Sequence, residues 1–188
     1  MKKVTISLKS LAPYYQSRMH GEPGLPKERP DAREERTWRE KCTVDDDGNV
    51  MIPPAAIKSA LTRAAQMLGM QIVGRGKSTY VKHFKAGLMV PNGISLPIKK
   101  SEIGRIAVNC HSGGKPTDST RVVRFFPEVK KWEGKVDVIV LDETITPEIF
   151  EKHAKEAGLL VGIGQNRPEN GGASGRFTCE KFVWSEIG

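Results

Sequence analysis

The stretch from Val136 to Trp184 constrains the fold of this chain more than any other. Residues 136–141 form a short, apolar, β-branched run that is typical of a buried strand. Thr146 is a favourable helix N-cap, and the proline after it fits the first helical position, which needs no N–H partner. Apolar residues then recur at helical spacing until Gly158, which is expected to end the helix. The stretch predicts a strand, a helix, a short strand, a glycine-rich loop and a final strand.

The glycine-rich loop has two interpretations. Five glycines lie between positions 162 and 175, interleaved with amide side chains and with Arg167 and Arg176. Glycine permits close approach of a ligand to the backbone, and bare N–H groups beside arginines would suit a phosphate chain. The alternative is a long turn between strands, since glycine, proline and asparagine are common turn residues.

The basic charge is concentrated in the middle of the chain. The formal net charge is +8, but residues 71–135 carry thirteen Lys or Arg against four Asp or Glu, whereas residues 136–188 are net acidic. A basic segment of this kind favours a polyanionic partner, of which nucleic acid is the commonest. The alternative is an ordinary solvated lysine surface.

The first half of the chain predicts one strand, one irregular segment and one helix. Residues 3–14 begin with the alternation of a half-buried strand. Residues 21–41 are rich in proline, glycine and charge, and are expected to form an exposed or partly disordered excursion with Trp38 as its tether. An apolar stripe over residues 55–68 predicts a helix that ends at Gly69.

Residues 74–85 predict a basic loop. They contain Tyr80, His83 and Phe84 among lysines and arginines, a mixture that lets bases stack while cations meet phosphates. The alternative is a loop whose aromatic residues anchor into the core. A nucleotide-binding loop is excluded because Gln71 occupies the position where the phosphate-cradling pattern requires glycine.

The sequence offers little catalytic or metal chemistry. Asp45, Asp46 and Asp47 fit a hairpin turn better than a calcium loop, because the required glutamate is absent. The three cysteines are scattered, which argues against zinc and for reduced thiols in a cytoplasmic protein. His153 lies on an apolar helix face and is predicted to be a core histidine. No cofactor is expected.

The order of elements predicts an α+β fold. Residues 121–129 and 135–141 are predicted to pair as a hairpin across residues 130–134, before the helix and final strand. With the opening strand and the first helix, this order indicates a ferredoxin-like (RRM-like) antiparallel sheet with two helices and long basic insertions. We expect a single domain, 1–188, with insertions at about 15–42 and 74–120.

Two segments resemble motifs of the RAMP superfamily, the ferredoxin-like RNA-binding proteins of CRISPR effector complexes. Residues 52–63, IPPAAIKSALTR, are similar to the helix start of that superfamily. Residues 157–164, AGLLVGIG, with the following Arg167, Gly171-Gly172 and Gly175-Arg176-Phe177, resemble its glycine-rich loop. The two segments occur in the family's order and cover about a third of the chain.

The resemblance implies a non-catalytic protein that polymerises along, or caps, single-stranded RNA by its phosphate backbone. The partner would be guide-type RNA, or DNA, within an antiviral CRISPR-like ribonucleoprotein or a homo-oligomer. Tyr80, Phe84 and Trp132 are candidates for stacking or wedging. The predicted nucleic-acid-binding residues are Lys58, Arg63, Arg75, Lys77, Tyr80, Lys82, His83, Lys85, Arg167, Gly171, Gly172 and Arg176.

Two other functions remain open at this stage. The first is a protein-interaction module, such as a phage or mobile-element inhibitor or adaptor that mimics a RAMP subunit. The second is a metal-dependent nuclease that uses Asp45, Asp46, Asp47 or His111. No apolar run is long enough to span a bilayer and the first residues have a strand pattern, so we expect a cytoplasmic protein without a membrane partner.

Overall fold

A computed structural model describes residues 1–111 and 120–187. Within these ranges the chain forms nine strands and four α-helices, together with short 3-10 and π-helical turns. The strands are β1 (Lys2–Ser10), β2 (Tyr14–Tyr15), β3 (Asn49–Ile52), β4 (Leu88–Met89), β5 (Ile94–Lys99), β6 (Gly104–His111), β7 (Arg121–Val129), β8 (Glu133–Val140) and β9 (Phe177–Glu186). The helices are α1 (Pro30–Thr37), α2 (Pro54–Leu68), α3 (Val81–Ala86) and α4 (Pro147–Glu156). Among the described residues, no helix is both long and apolar enough to cross a membrane.

The strands form three antiparallel sheets. The largest has the order β4-β8-β1-β9, and its register places Val4 between Val138 and Trp184. The second has the order β2-β7-β6, and β3 pairs with β5 in the third. The predicted α+β class with antiparallel strands is confirmed.

One hydrophobic core lies between the largest sheet and the helices. Val4, Ile6 and Leu8 of β1 are buried and belong to the same cluster as the buried residues of α2 and α4. The intervening residues of β1 point to the other face, where the Thr5 hydroxyl donates to the Asp137 carboxylate at 2.6 Å. This alternation follows from the pleat of the strand, which sends successive side chains to opposite faces.

The predicted helix over 55–68 is confirmed as α2. Pro54 occupies its first turn, where a missing N–H costs nothing. Gly69 follows the last turn with φ +54°, and its N–H donates to the Ala65 carbonyl at 3.1 Å. Both ends are therefore set by residues that the sequence displays.

The second predicted helix is also present, but its end is not where the sequence places it. The Thr146 hydroxyl caps α4 by accepting from the Ile149 N–H at 3.4 Å. The chain does not leave the helix at Gly158 and continues through a π-helical turn, Ala157–Val161. Gly158 is needed for packing, since a Cβ there would lie 2.1 Å from the Phe177 carbonyl oxygen. The short strand predicted after it is wrong.

The predicted hairpin between residues 121–129 and 135–141 is also wrong. β7 pairs with β2 and β6, whereas β8 pairs with β1 and β4 in another sheet. The link between them is fixed by Trp132, which exchanges two hydrogen bonds of 2.9 Å with Ser10. β7 instead forms an antiparallel pair with β6, and the connection between those two strands falls largely outside the described residues.

The segment 21–41 contains a helix that the sequence did not predict. α1 contacts β7 through Glu34, whose carboxylate accepts from the Phe125 N–H at 2.7 Å and from the Lys41 ammonium group. The Lys41 ammonium also donates to the Phe125 carbonyl at 2.8 Å. Trp38 is buried as expected, under the Arg39 guanidinium at 4.3 Å from the ring centroid. Ion pairs and cation–π contacts, and not an apolar helix face, hold this segment in place. Its sequence therefore shows no apolar periodicity.

Candidate nucleic-acid interface

The two motif-bearing segments meet in the fold. The first turns of α2 and the glycine-rich loop, residues 162–176, line a cleft of about 450 Å³. Pro53, Ala56, Ser59 and Ala60 form its helical wall. Small side chains on this stripe leave the cleft open. Sequence order alone could not place these segments together, since nearly a hundred residues separate them.

The glycine-rich loop is held against the chain that follows β1. The Gln165 N–H donates to the Tyr15 carbonyl at 2.9 Å, and the Gly175 N–H donates to the Pro13 carbonyl at 2.7 Å. Gly164 has φ +77°, and a Cβ there would lie 2.3 Å from the Tyr15 carbonyl oxygen. Close backbone packing therefore requires glycine at this position of the loop.

Gly171 and Gly172 differ in their surroundings. Gly171 has φ +78° and is exposed, with no atom within 4 Å of the position that a Cβ would occupy. A Cβ on Gly172 would lie 1.9 Å from the Asn166 carbonyl oxygen. Gly171 is thus the member of the predicted pair whose backbone faces open space.

Three predicted arginines on this side of α2 are engaged by the protein itself. The Glu169 carboxylate contacts Arg63 at 3.3 Å and Arg167 at 2.9 Å, and the Arg167 guanidinium also donates to the Gly164 carbonyl at 3.2 Å. Arg176 donates to the carbonyl groups of Leu159 and Ala173 at 3.1 and 3.4 Å. One carboxylate therefore offsets part of the positive charge beside the cleft.

Lys58 lies on the other flank of α2. Its ammonium group donates to the Phe84 and Lys85 carbonyls at 2.7 and 3.0 Å, which are at the end of α3. Partial burial lowers the pKa of Lys58 from its ordinary value. Five residues separate Lys58 from Arg63, so the two lie about 140° apart around the helix. The two predicted binding residues on α2 therefore lie on different sides of the helix.

The predicted loop 74–85 is half loop and half helix. Residues 71–79 form a tight turn in which the Ile72 N–H donates to the Ser78 carbonyl at 2.8 Å, and α3 follows. Four of the predicted cations on this segment are exposed: Arg75, Lys77, Lys82 and Lys85. Within residues 1–111 and 120–187, their side chains have no hydrogen-bond or ion-pair partner.

The aromatic residues proposed for stacking lie in the core. Tyr80, Phe84 and Trp132 are 7%, 0% and 5% exposed. Phe84 packs against His153, with 4.3 Å between ring centroids. Their rings are therefore not accessible to a nucleic-acid base in this conformation, and the alternative of core anchors describes Tyr80 and Phe84. His83 is half-buried, and its Nδ1 lies 2.6 Å from the Asp142 carboxylate.

A larger cleft, which the sequence did not reveal, adjoins the first. It has a volume of about 980 Å³ and lies between the 17–41 segment, the β6–β7 pair and the glycine-rich loop. Ser17 and Arg18 line both clefts. The amide-rich composition of the glycine loop was the only sequence signal for it, because the other walls come from distant segments.

The candidate nuclease residues are dispersed. The Asp45 carboxylate accepts from the backbone N–H groups of Asp47 and Asn49 at 3.0 and 2.8 Å, and so stabilises the turn before β3. Hydrogen bonds, the largest from the Ser95 hydroxyl, hold the pKa of Asp45 below its ordinary value. His111 lies at the end of β6 and lines the larger cleft. Among the described residues, no three His, Cys, Asp or Glu side chains are grouped as a metal site would require.

Comparison with known proteins gives matches only at the level of structure. No family model and no curated protein sequence matches this chain. A chain in the cryo-EM structure of the Type III-B Cmr-beta bound to cognate target RNA is similar, with a TM-score of 0.53 and 11% sequence identity. The match covers 97% of this chain and 60% of that chain, so this chain spans less than two thirds of its neighbour's length.

A second solved structure is similar over nearly the whole of both chains. Cmr6 from Pyrococcus furiosus matches with a TM-score of 0.50 and 16% identity, covering 95% of this chain and 98% of that protein. Identities this low establish the fold alone. The chain therefore has the fold of RAMP-type CRISPR type III-B subunits, and the resemblance predicted from its two motifs is confirmed at the level of the fold.

Proposed function

We propose that this chain binds the backbone of single-stranded, guide-type RNA without cleaving it, as a subunit of a CRISPR-like ribonucleoprotein or as a homo-oligomer. The observation that carries the proposal is the meeting of α2 and the glycine-rich loop at one cleft. The two segments were identified independently by their resemblance to RAMP motifs. The similarity in fold to a chain solved with target RNA supports the same function.

The topology supports a ferredoxin-like unit within a single domain, 1–188. In the largest sheet, β1 and β8 are central and β4 and β9 are the edges. One helix, α2, follows β1, and the other, α4, connects β8 to β9. On this proposal, the insertions at about 15–42 and 74–120 hold α1, α3, β5 and β6 outside the unit, whereas β4, although it falls within the second range, belongs to the sheet of the unit.

Charge on the α3 flank supports contact with phosphates. Arg75, Lys77, Lys82 and Lys85 are exposed and lack partners within the described part of the chain. Cations that are already paired would lose those contacts on binding RNA. Solvated cations lose no such contact, and when they neutralise phosphates they release counterions from the RNA, which favours binding. The exposed four are therefore the stronger candidates, and Lys58, Arg63, Arg167 and Arg176 also position the elements that line the cleft.

The salt dependence of binding tests the proposal. We would measure the affinity for a fluorescein-labelled ten-nucleotide oligouridine by anisotropy at several salt concentrations. Replacing Arg75, Lys77, Lys82 and Lys85 together by alanine should weaken binding. It should also flatten the plot of log affinity against log salt by up to about three units, since each phosphate contact on a single strand contributes about 0.7.

A charge-matched variant separates local contacts from net charge. Lys130, Lys131, Lys135 and Lys152 are exposed, lie on other elements, and also lack partners among the described residues. Their replacement by alanine should leave the slope near that of the wild type. Equal slopes for the two quadruple variants would reject the assignment to the α3 flank.

The same measurement separates the other functions. A folded protein that binds no single strand at low salt would refute the proposal and favour a protein partner. Cleavage of the labelled RNA that EDTA abolishes would refute a non-catalytic role and would direct attention to Asp45 and His111.

A further inference from the structure

The larger cleft carries an excess of positive charge. Among the described residues, its charged lining consists of four cations and two carboxylates: Arg18, Arg33, Lys41 and Arg124, with Glu28 and Glu34. Four positive charges against two negative charges leave a formal charge of +2. Two histidines, His20 and His111, also line the cleft and add positive charge when they are protonated. The cleft therefore suits a ligand that carries negative charge.

Both carboxylates of the lining are already paired with cations. The Glu34 carboxylate contacts the Lys41 ammonium group, and the Glu28 carboxylate contacts Arg36 at 2.7 Å. Arg36 lies outside the lining, so the pairing of Glu28 uses no cation of the cleft. Apart from the Lys41 pair, the described lining therefore presents three arginines against one carboxylate, and an arginine outside the cleft binds that carboxylate.

The sheet register directs Arg124 toward the cleft. In the β6–β7 pair, Arg124 lies opposite Val108, and Phe126 lies two residues further along β7. Alternate residues of a strand share a face, so Arg124 and Phe126 are on the same face of the pair. The Lys41 ammonium covers that face, 4.7 Å from the centroid of the Phe126 ring. The strand β7 and the segment after α1 therefore each contribute a cation to the cleft.

Two arginines of the 17–41 segment keep donors for a ligand. Arg33, on α1, donates to the Glu22 carbonyl at 2.5 Å, which leaves other N–H donors of its guanidinium group. The Arg18 side chain is exposed and has no hydrogen-bond or ion-pair partner within residues 1–111 and 120–187. The Arg18 backbone N–H donates to the Lys41 carbonyl at 3.0 Å, and this bond fixes the chain beside the cleft.

We propose that the larger cleft binds the terminal phosphate of the RNA strand whose backbone lies in the smaller cleft. This inference rests on the proposed RNA-binding function. Ser17 and Arg18 line both clefts, so a strand that leaves the smaller cleft can end in the larger one. The larger cleft has a volume of about 980 Å³, at the upper end of the range of about 300 to 1,000 Å³ for small-ligand pockets, so a terminal nucleotide fits with its phosphate.

A terminal phosphate matches this lining better than an internal one does. A phosphomonoester carries about −1.5 to −2 charges at pH 7 and has three strong acceptor oxygens. An internal phosphodiester carries a single negative charge. The guanidinium group of arginine presents its donors in a planar fork that fits phosphate oxygens. A lining with a formal charge of +2 therefore compensates the terminal group more completely.

The test uses ten-nucleotide oligouridine with a phosphate at the 5′ end or at the 3′ end and fluorescein on the opposite end. A strand with the same label and no terminal phosphate is the reference for each. We would measure the affinities by anisotropy at one fixed salt concentration. The wild type should bind one of the two phosphorylated strands about tenfold more tightly than its reference, since hydrogen bonds to charged groups are among the strongest. The identity of that strand assigns the end that enters the cleft.

A matched pair of variants separates the cleft from net charge. The double variant Arg33→Gln/Arg124→Gln should lose the preference for the phosphorylated strand while retaining the affinity for its reference. A terminal phosphate also adds charge to the strand, so a control must remove the same charge elsewhere. Lys130→Gln/Lys131→Gln removes two exposed cations outside both clefts and should retain the preference.

Uridine monophosphate separates an RNA end from a free nucleotide. It offers the same phosphomonoester without the remaining backbone, so it should displace the phosphorylated strand only at concentrations far above the dissociation constant of that strand. Displacement at concentrations near that dissociation constant would show that the cleft binds a free nucleotide, and the assignment to an RNA end would be wrong.

The outcomes distinguish this inference from the proposed function. Equal affinity of the wild type for phosphorylated and reference strands would refute the inference and leave backbone binding intact. Failure to bind any strand would refute the proposed function itself. If the double variant is folded and keeps the preference, the assignment to this cleft is wrong. If it does not fold, Arg18→Gln takes its place, and an unchanged ratio of affinities in that variant would reject the assignment equally.

Discussion

His153 is buried in a form that cannot readily be charged. Its side chain is 0% exposed, and its Nδ1–H donates to the Ile149 carbonyl at 2.6 Å. Its Nε2 is also buried, without a hydrogen-bond partner among the described residues. Burial lowers the pKa of His153 below its ordinary value of 6.5. Protonation would place a charge beside the Phe84 ring, at the centre of the helical layer.

This depressed pKa predicts acid sensitivity. As the pH falls below about 6.5, the unfolded chain takes up a proton at this histidine before the folded chain does. The free energy of unfolding should therefore decrease between pH 6.5 and the lower pKa of the folded state. Urea denaturation at pH 7.5, 6.5 and 5.5 measures this decrease. His153→Gln, which keeps a donor but cannot titrate, should show a shallower dependence, and an unchanged one would contradict the prediction.

At the scale of single residues, the sequence predicted the burial of a side chain where it also predicted the helix that carries it. The helical spacing of α4 places His153 on an apolar face, so its burial followed from the sequence. Tyr80 and Phe84 could be assigned either to stacking or to the core because α3 was not anticipated. The pairing of Arg63 and Arg167 through Glu169 joins a helix to a loop a hundred residues away, and no local pattern encodes it.

At the scale of elements, the glycine-rich loop depends on close backbone contacts. Gly175 has φ +73°, and a Cβ there would lie 1.8 Å from the Ile163 carbonyl oxygen. The Ile163 N–H donates back to the Gly175 carbonyl at 3.0 Å. Gly171 has nearly the same φ, +78°, but a Cβ there would meet nothing within 4 Å. Alanine at Gly171 therefore introduces only the cost of the left-handed backbone conformation, whereas alanine at Gly175 adds a steric clash.

We predict unequal losses of stability for alanine at these two glycines. Gly171→Ala should lower the free energy of unfolding by about 1 kcal/mol, the cost of a left-handed conformation for a residue with a Cβ. Gly175→Ala should cost about 3 kcal/mol or more, because the Ile163 backbone must also move. Denaturant titrations with circular dichroism measure both values. Equal losses would show that the loop relaxes freely around Gly175.

The sequence predicted helices whose ends carry local signals, but it did not predict which strands pair with each other. α2 begins at a proline and ends at Gly69, and α4 begins at Thr146, so short-range chemistry specifies those ends. β7 and β8 are neighbours in sequence, but β1 already provides the pairing edge for β8. The choice between sheets depends on strands more than a hundred residues away. Proximity in sequence therefore gave the wrong hairpin.

At the scale of the whole molecule, the uneven charge becomes a distribution over the surface. Engaged cations, such as Lys58 and Arg167, position elements around the cleft between α2 and the glycine loop. Exposed cations lie on the α3 flank, where they add to the positive potential without internal partners in the described part of the chain. Composition indicates a polyanionic partner, as the proposed function requires, but it could not separate these two sets of cations.

This division predicts how the protein behaves on purification. At low salt, the protein should carry RNA from its expression host, giving a higher ratio of absorbance at 260 and 280 nm than a nuclease-treated sample. Several copies on one strand should give a mass in solution above that of a monomer, and high salt should reverse both effects, because counterion release drives the binding. The variant lacking Arg75, Lys77, Lys82 and Lys85 should carry less RNA than the matched lysine variant. A monomer free of nucleic acid at low salt, unchanged by nuclease, would instead indicate that the positive surface contacts an acidic protein.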